Sequence, residues 1–226
     1  MSLISIKSIR CGATAQDIYG MELLREITGR FKRPPLFTSS ALRPICLAAL
    51  VNDIVINRRQ TIVELGAGVS TLYFAAVFKH YGIPGKLYTV DEDPAWLGYI
   101  GEQLAAEGLA EKVELIVAPV VQYPTSSWYD KASLAKHFPA AAKIDVLMVD
   151  GPTAYTKEKA RNRELAYSFF AEHLAENSLV YLDDCDRAGE KSILQEWAGL
   201  AKAKGQIRYR TGGFLLKGAH YNFYPL

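Results

Sequence analysis

Between Thr61 and Asp184 the chain alternates between short apolar runs and helical segments. The runs are TIVEL (61–65), KLYTVDE (86–92), VELIVAP (113–119), IDVLMVD (144–150) and SLVYLDD (178–184). The helical stretches STLYFAAVFKHY, PAWLGYIGEQLAAEG and KEKARNRELAYSFFAEHLAE fall between them, and GEKSILQEWAGLAKAKG follows the last. Continuously apolar strands that alternate with helices predict a parallel sheet covered on both faces. Right-handed crossovers then restrict the topology to a doubly wound sheet. The stretch QIRYRTGGFLLKG is two short apolar runs joined by Thr211, Gly212 and Gly213. It predicts a terminal hairpin, and hence an antiparallel last strand. The expected fold is α/β, a mostly parallel seven-stranded sheet.

Ahead of this alternation the sequence predicts two helices. Ile18, Met21, Leu24 and Ile27 recur at helical spacing between Ala15 and Gly29. Pro34 and Pro35 then interrupt, and Ser39 or Ser40 is placed to cap a second helix. Residues 1–58 therefore read as a helical cap, part of the same domain as a core spanning 59–226. With 226 residues and 50% hydrophobic content, one core is the natural expectation. A formal net charge of +2 gives no argument for nucleic acid. No apolar run approaches the ~20 residues of a membrane span. The stretch MSLISIKSIRCG lacks the pattern of a secretory leader. Cys11, Cys46 and Cys185 are too scattered for a disulfide framework or a zinc site, and a reducing cytoplasm is the expected location.

Gly66 and Gly68 follow the first strand directly, and a helix opens near Ser70. Glycine lets a ligand approach the backbone, and a helix start offers unpaired N–H groups to an anionic group. Asp91 ends the second strand, where a carboxylate can accept hydrogen bonds from ribose hydroxyls. A dinucleotide fingerprint wants a third glycine, at the position held by Thr71. VELGAGVST followed by YTVDEDP instead resembles the first two motifs of class I S-adenosylmethionine-dependent methyltransferases. The resemblance runs from Thr61 to the terminal hairpin. It implies that Gly66, Ala67 and Gly68 line the methionine part of the cofactor, that Glu64 orients its amino group and that Ser70 is also cofactor-binding. It implies further that Asp91, with Glu92 beside it, holds the ribose, and that Ala118 and Pro119 lie near the adenine.

Asp150 ends the fourth predicted strand, and Asp183 and Asp184 end the fifth. Carboxylates gathered on one sheet edge repel unless protonated, hydrogen-bonded or bridged by a cation. Oxygen-only ligands suit Mg2+, Mn2+ or Ca2+. One acid after the fourth strand and a pair after the fifth resemble the metal-dependent catechol-type O-methyltransferases. That resemblance makes Asp150, Asp183 and Asp184 candidate metal ligands and catalytic groups, with Asp150 also near the cofactor. Two positions depart from it: Asp184 stands where asparagine is usual, and Thr153 where a catalytic lysine is usual. A metal-free alternative has one of the acids acting as general base.

Other signals are weaker. Lys157 and Arg161, and Lys159 and Arg163, fall four apart in a predicted helix and read as a solvated face. Tyr155 and Trp128 are candidates for an aromatic acceptor wall. His137 is a candidate functional group, whereas His80, His173 and Cys185 read as structural. The Pro-Pro hinge suggests that residues 37–42 close over the cofactor. The aromatic tail AHYNFYPL should dock, on its own domain or on a second subunit, which leaves room for a homodimer. DGPTAY lacks the Pro-Pro-aromatic pattern used to hold a flipped base, so methylation of nucleic-acid bases is disfavoured. The expected function is methylation of a small-molecule hydroxyl, a phenol or a sugar. The rival readings are a nicotinamide-dependent oxidoreductase and a non-catalytic cofactor-binding protein.

Overall fold

The structure, a computed structural model, describes residues 11–138 and 141–226. Most of the stretch behind the leader reading, residues 1–10, lies outside the described residues. Two helices, α1 (Cys11–Thr28) and α2 (Pro44–Ile56), precede the sheet. Then come β1 (Thr61–Leu65), α3 (Val69–His80), β2 (Lys86–Asp91), α4 (Pro94–Glu107) and β3 (Val113–Val117). A small hairpin follows, β4 (Val120–Gln122) and β5 (Ser127–Tyr129), with a short helix α5 (Lys131–Ala135). The core resumes with β6 (Ile144–Val149), α6 (Leu165–Phe170), β7 (Leu174–Leu182), α7 (Ala188–Ala201), β8 (Gly205–Arg208) and β9 (Gly212–Leu216).

The main sheet has seven strands in the order β3-β2-β1-β6-β7-β9-β8. The first five are parallel, and β9 runs antiparallel to both β7 and β8. The strand order reverses between β1 and β6, so their carboxyl ends open the crevice in which such sheets hold ligands. Residues alternate in facing along each strand. Ile62, Leu87, Met148 and Tyr181 pack with α1, α2 and α3, while Val63, Val90, Leu147 and Val180 pack with α6, α7 and the β4–β5 hairpin.

Several local expectations are corrected. On α1 the buried side is Gly20, Leu24 and Ile27, whereas Ile18 is 67% exposed and Met21 also faces outward. A side chain at Gly20 would strike the α2 backbone at Ile45, so the helix crossing decided which side turned inward. Neither Ser39 nor Ser40 caps α2. The N-cap is Arg43, with Pro44 in the first turn, where its fixed φ and missing N–H cost nothing. The terminal hairpin turns at Tyr209 and Arg210, both at positive φ, rather than at Gly212 and Gly213. Those glycines sit in β9, where added side chains would meet Phe214 and Tyr181, or Cys185.

The predicted long helix over 157–176 shrinks to α6, and β7 begins already at Leu174. Residues 157–164 form turns because their polar side chains are drawn into neighbouring loops. Asn162 accepts from the Ser127 N–H at 3.0 Å and donates to the Thr153 carbonyl at 3.0 Å. The aromatic tail docks on its own chain: Phe223 is buried, Tyr221 N–H donates to Asn57 at 2.8 Å, and Asn52 donates to the Phe223 carbonyl at 3.2 Å. Tyr221 and Leu226 stay exposed.

Candidate functional site

The strand ends are stapled together before any side chain acts. Gly66 N–H donates to the Val90 carbonyl at 2.8 Å, while Asp150 and Gly151 N–H both donate to Leu65 at 2.9 and 2.7 Å. Asp183 N–H reaches the Val149 carbonyl at 3.0 Å. Four successive strand ends are thus held on one edge. Gly66 lies at φ 97, and a Cβ there would press on the Gly151 N at 2.9 Å. Two loop backbones meet at this point, which only glycine allows. Gly68 differs: a Cβ there would meet nothing within 4 Å, so this glycine borders open space. That space is a cleft of about 400 Å³.

Glu64 is fully buried beneath the glycine loop. Its Oε2 accepts from Thr71 Oγ1 at 2.6 Å and from Thr89 Oγ1 at 2.9 Å, while Oε1 has no hydrogen-bond partner. Burial pushes its pKa up to about 7, against the pull of the Ser70, Thr71 and Thr89 hydroxyls. Thr71, where a dinucleotide site would want glycine, thus has a defined task. Asp91 accepts from the Ala67 N–H at 2.9 Å and the Asp93 N–H at 3.0 Å, which fixes its carboxylate at the cleft wall. Glu92 lines the same wall, and burial, then Asp91, raises its pKa.

Across the cleft stand Asp150, Asp183 and Asp184. One oxygen from each lies within 4.8 Å of the other two. Arg163, nearly fully buried, threads between them. Its guanidinium donates to Asp150 Oδ1 at 3.1 Å, Asp184 Oδ2 at 3.0 Å, the Asp183 carbonyl at 3.3 Å and also the Asp150 carbonyl. Arg187 adds a second contact to Asp184 at 3.0 Å. Tyr181 Oη donates to Asp183 Oδ1 at 2.7 Å. Burial and the neighbouring acids raise Asp150 well above the usual carboxylate range despite Arg163, and push Asp183 up to about 6. Burial works against the charge on Arg163, but Asp150, Asp184 and Glu190 hold it protonated. The donor set is all oxygen, and each acid keeps one oxygen outside its protein contact. Chemically that suits a hard divalent cation, with Arg163 and Tyr181 as outer supports.

Residues 63–185, more than half of the chain, match the model of a methyltransferase-domain family. The chain belongs to that family. No curated protein matches it. Among solved structures it is similar to the SAH-bound methyltransferase PaMTH1 of Podospora anserina, with 13% identity and a TM-score of 0.62, covering 97% of this chain and 100% of that one. It is similar to the O-methyltransferase from Bacillus cereus in complex with SAH, at 12% identity and TM-score 0.55, covering 94% and 92%. It is also similar to TomG from Streptomyces achromogenes, an O-methyltransferase of tomaymycin synthesis solved with SAM, at 16% identity and TM-score 0.52, covering 95% and 93%. At these identities the likeness is one of fold. Family membership sets aside the oxidoreductase reading.

In this methyltransferase the cleft gathers Gly66, Ala67, Gly68, Ser70, Asp91, Glu92, Asp150, Asp183 and Asp184 from the sequence expectations. Ala118 is buried away from it and bonds to the Asp91 carbonyl, while Pro119 accepts from Asp130 N–H; neither lines the cleft. Trp128 is a core residue, and Tyr155 lines the cleft with 74% exposure. His137 pairs with Glu114 at 2.8 Å, outside the cleft. Cys185 is packing, as read, with its thiol on the Leu182 carbonyl. Sequence reasoning missed Arg163, placing it on a solvated helix face. Its one visible signal was an arginine directly after Asn162 and two residues after Arg161, in a stretch rich in turn-compatible polar groups. Ser39 and Ser40, read as caps, line the cleft instead.

Proposed function

We propose that the protein is an S-adenosylmethionine-dependent O-methyltransferase acting on a small hydroxylated molecule. The observation that carries this reading is the convergence of the glycine loop, Asp91 and the three aspartates on one cleft, with Glu64 fully buried beneath the loop rather than on the cleft surface. When bound, the cofactor supplies an electrophilic methyl group, which an acceptor oxygen takes up as S-adenosylhomocysteine leaves. The unpartnered Glu64 Oε1 is placed for the cofactor's ammonium group, and the open face of Gly68 leaves room for its methionine chain. Asp91 is set for the ribose hydroxyls. Much of the rate gain is then positioning.

In the cap expected over 1–58, the described part from residue 11 onward packs on the core 59–226, and residues 39–42 form one wall of the cleft. The acceptor side also presents Thr153, Tyr155, Arg187 and Thr211. This polar lining suits a sugar better than a plain phenol. Asp150, Asp183 and Asp184 would hold a divalent cation, Mg2+, Mn2+ or Ca2+, whose charge would favour the ionised form of an acceptor hydroxyl. In the metal-free alternative, Asp183 is the acid placed to take the acceptor's proton. Arg163 favours a second, metal-free reading, since its guanidinium already offsets part of the acidic charge. Among the described residues no helix is long and apolar enough to cross a membrane. The described cysteines, Cys46 and Cys185, are free and buried.

Calorimetry with S-adenosylhomocysteine and with NAD tests the cofactor: the first should bind and the second should not. Thermal melts with Mg2+, Mn2+, Ca2+ or chelator separate the two readings of the acids. A protein indifferent to all of them, yet active, leaves the metal-free reading standing.

A further inference from the structure

The β4–β5 hairpin lies in the long connection between β3 and β6, outside the main sheet. Its last residue, Tyr129, is fully buried, and its ring packs edge-on against Trp128 at 5.9 Å. The hydroxyl is buried and faces the Glu92 carboxylate without reaching a hydrogen bond of ordinary geometry. Burying a hydroxyl without a partner costs free energy, so such a group is a candidate for a ligand contact. Tyr129 lines the cleft together with Gly66, Asp91, Glu92 and Gly151. The backbone beside it is shaped around the hydroxyl: a Cβ on Gly151 would collide with Tyr129 Oη. Burial, then Glu92 and Asp91, raises its pKa well above the usual value, so the hydroxyl keeps its proton and can donate.

The strand-end position expected to meet the adenine, Ala118, carries no polar side-chain atom and is turned into the core. Asp91 marks where the ribose would lie, and Tyr129 Oη faces the same wall from the other strand of the insertion. We infer that Tyr129 is a cofactor-binding residue whose hydroxyl donates a hydrogen bond to the nucleoside half of S-adenosylmethionine. The inference rests on the cofactor reading above. It gives the hairpin a function: the insertion supplies the polar contact that the end of β3 lacks.

The test is Tyr129→Phe, measured in two ways on the full chain. Apo stability is read by thermal melting, and binding of S-adenosylhomocysteine and of adenosine by calorimetry. Removing an unpartnered hydroxyl should leave the apo melting temperature unchanged or raised. Affinity for both ligands should fall about tenfold, the scale of one lost hydrogen bond. A lowered apo melting temperature, or a variant that fails to fold, would mean that the hydroxyl serves the protein's own structure and would overturn the inference. Unchanged affinity for both ligands would overturn it too, while leaving the cofactor reading intact. Wild-type protein that binds neither ligand would overturn both.

Discussion

Two arginines are buried among the described residues, and their surroundings differ in a way that separates scaffold from site. Arg59 faces one acid. Its Nε and one terminal nitrogen clamp Asp53 at 2.9 and 3.0 Å, and its other contacts are the Asn177 carbonyl and His220 Nδ1. The charges match one to one, and Asp53 is fully buried. This pair anchors the C-terminal tail against α2, and neither residue lines the cleft. Arg163 faces Asp150, Asp184 and, at 3.9 Å, Glu190, with Asp183 beside them. Even with Arg187 included, four acids stand against two cations. The first arrangement is complete within the protein. The second is left short of positive charge at the wall of a cleft, as expected of a site that awaits a cation or a proton.

The comparison breaks if the two arginines respond alike. Arg59→Met and Arg163→Met should each destabilise the fold by about 3–5 kcal/mol, the cost of stranding a buried charge. Urea unfolding should show divalent cations restoring part of the loss in Arg163→Met and none in Arg59→Met. Equal responses to Mg2+ would erase the distinction.

A smaller effect sharpens the contrast in the opposite direction. Asp183→Asn removes one of the surplus acids, so the apo protein at pH 8 should be at least as stable as wild type. Methyl transfer should nevertheless fall by about 100-fold, the low end of the contribution of a positioned base. A variant that loses stability and keeps activity would place Asp183 with the scaffold.

Glu64 gives a third test, now on pH. Its folded pKa of about 7 exceeds an ordinary carboxylate value, so between the two the folded state holds more protons than the unfolded one. Apo stability should therefore decline as pH rises from about 4.5 through 7. An ammonium partner needs the ionised form, so cofactor affinity should climb over the upper part of the same window. Glu64→Gln should flatten both trends and weaken S-adenosylhomocysteine binding about tenfold at pH 8. Calorimetry across pH reads the affinity, and chemical denaturation the stability.

The smallest effect belongs to the tail. Burial, then Arg59, lowers the His220 pKa, so the folded state prefers the neutral ring. Stability from this contact should be present above the ordinary histidine value and should fade as pH drops below it. His220→Gln should remove that slope and leave methyl transfer untouched. Because the ring is partly exposed, the change should be slight, visible as an earlier loss of hydrogen-exchange protection around residues 219–224.

Much of this was legible because it is local. The alternation of apolar runs and helices placed the five parallel strands, and the residues ending them fell on one edge because parallel strands share a direction. Glu64, the Gly66–Gly68 backbone, Asp91 and the three aspartates needed no more than that. The errors came where contacts distant in sequence overrode local pattern. Four-residue spacing made Arg163 look like one face of a helix, yet pairing with acids after β6 and β7 drew it inward and melted the helix around it. Gly212 and Gly213 looked like a turn, but crowding from Tyr181 and Cys185 gave them another reason to be glycine.

The sequence by itself determined the sheet, its direction and the backbone cradle, since strand periodicity and glycine act within a few residues. Only the tertiary structure decided what fills the walls of that cradle. Ser39 and Ser40 from the cap, Tyr129 from an insertion and Arg163 from a turn come together there from three separate stretches of the chain. Their roles depend on desolvation and charge balance, quantities that exist only once the chain has folded around them.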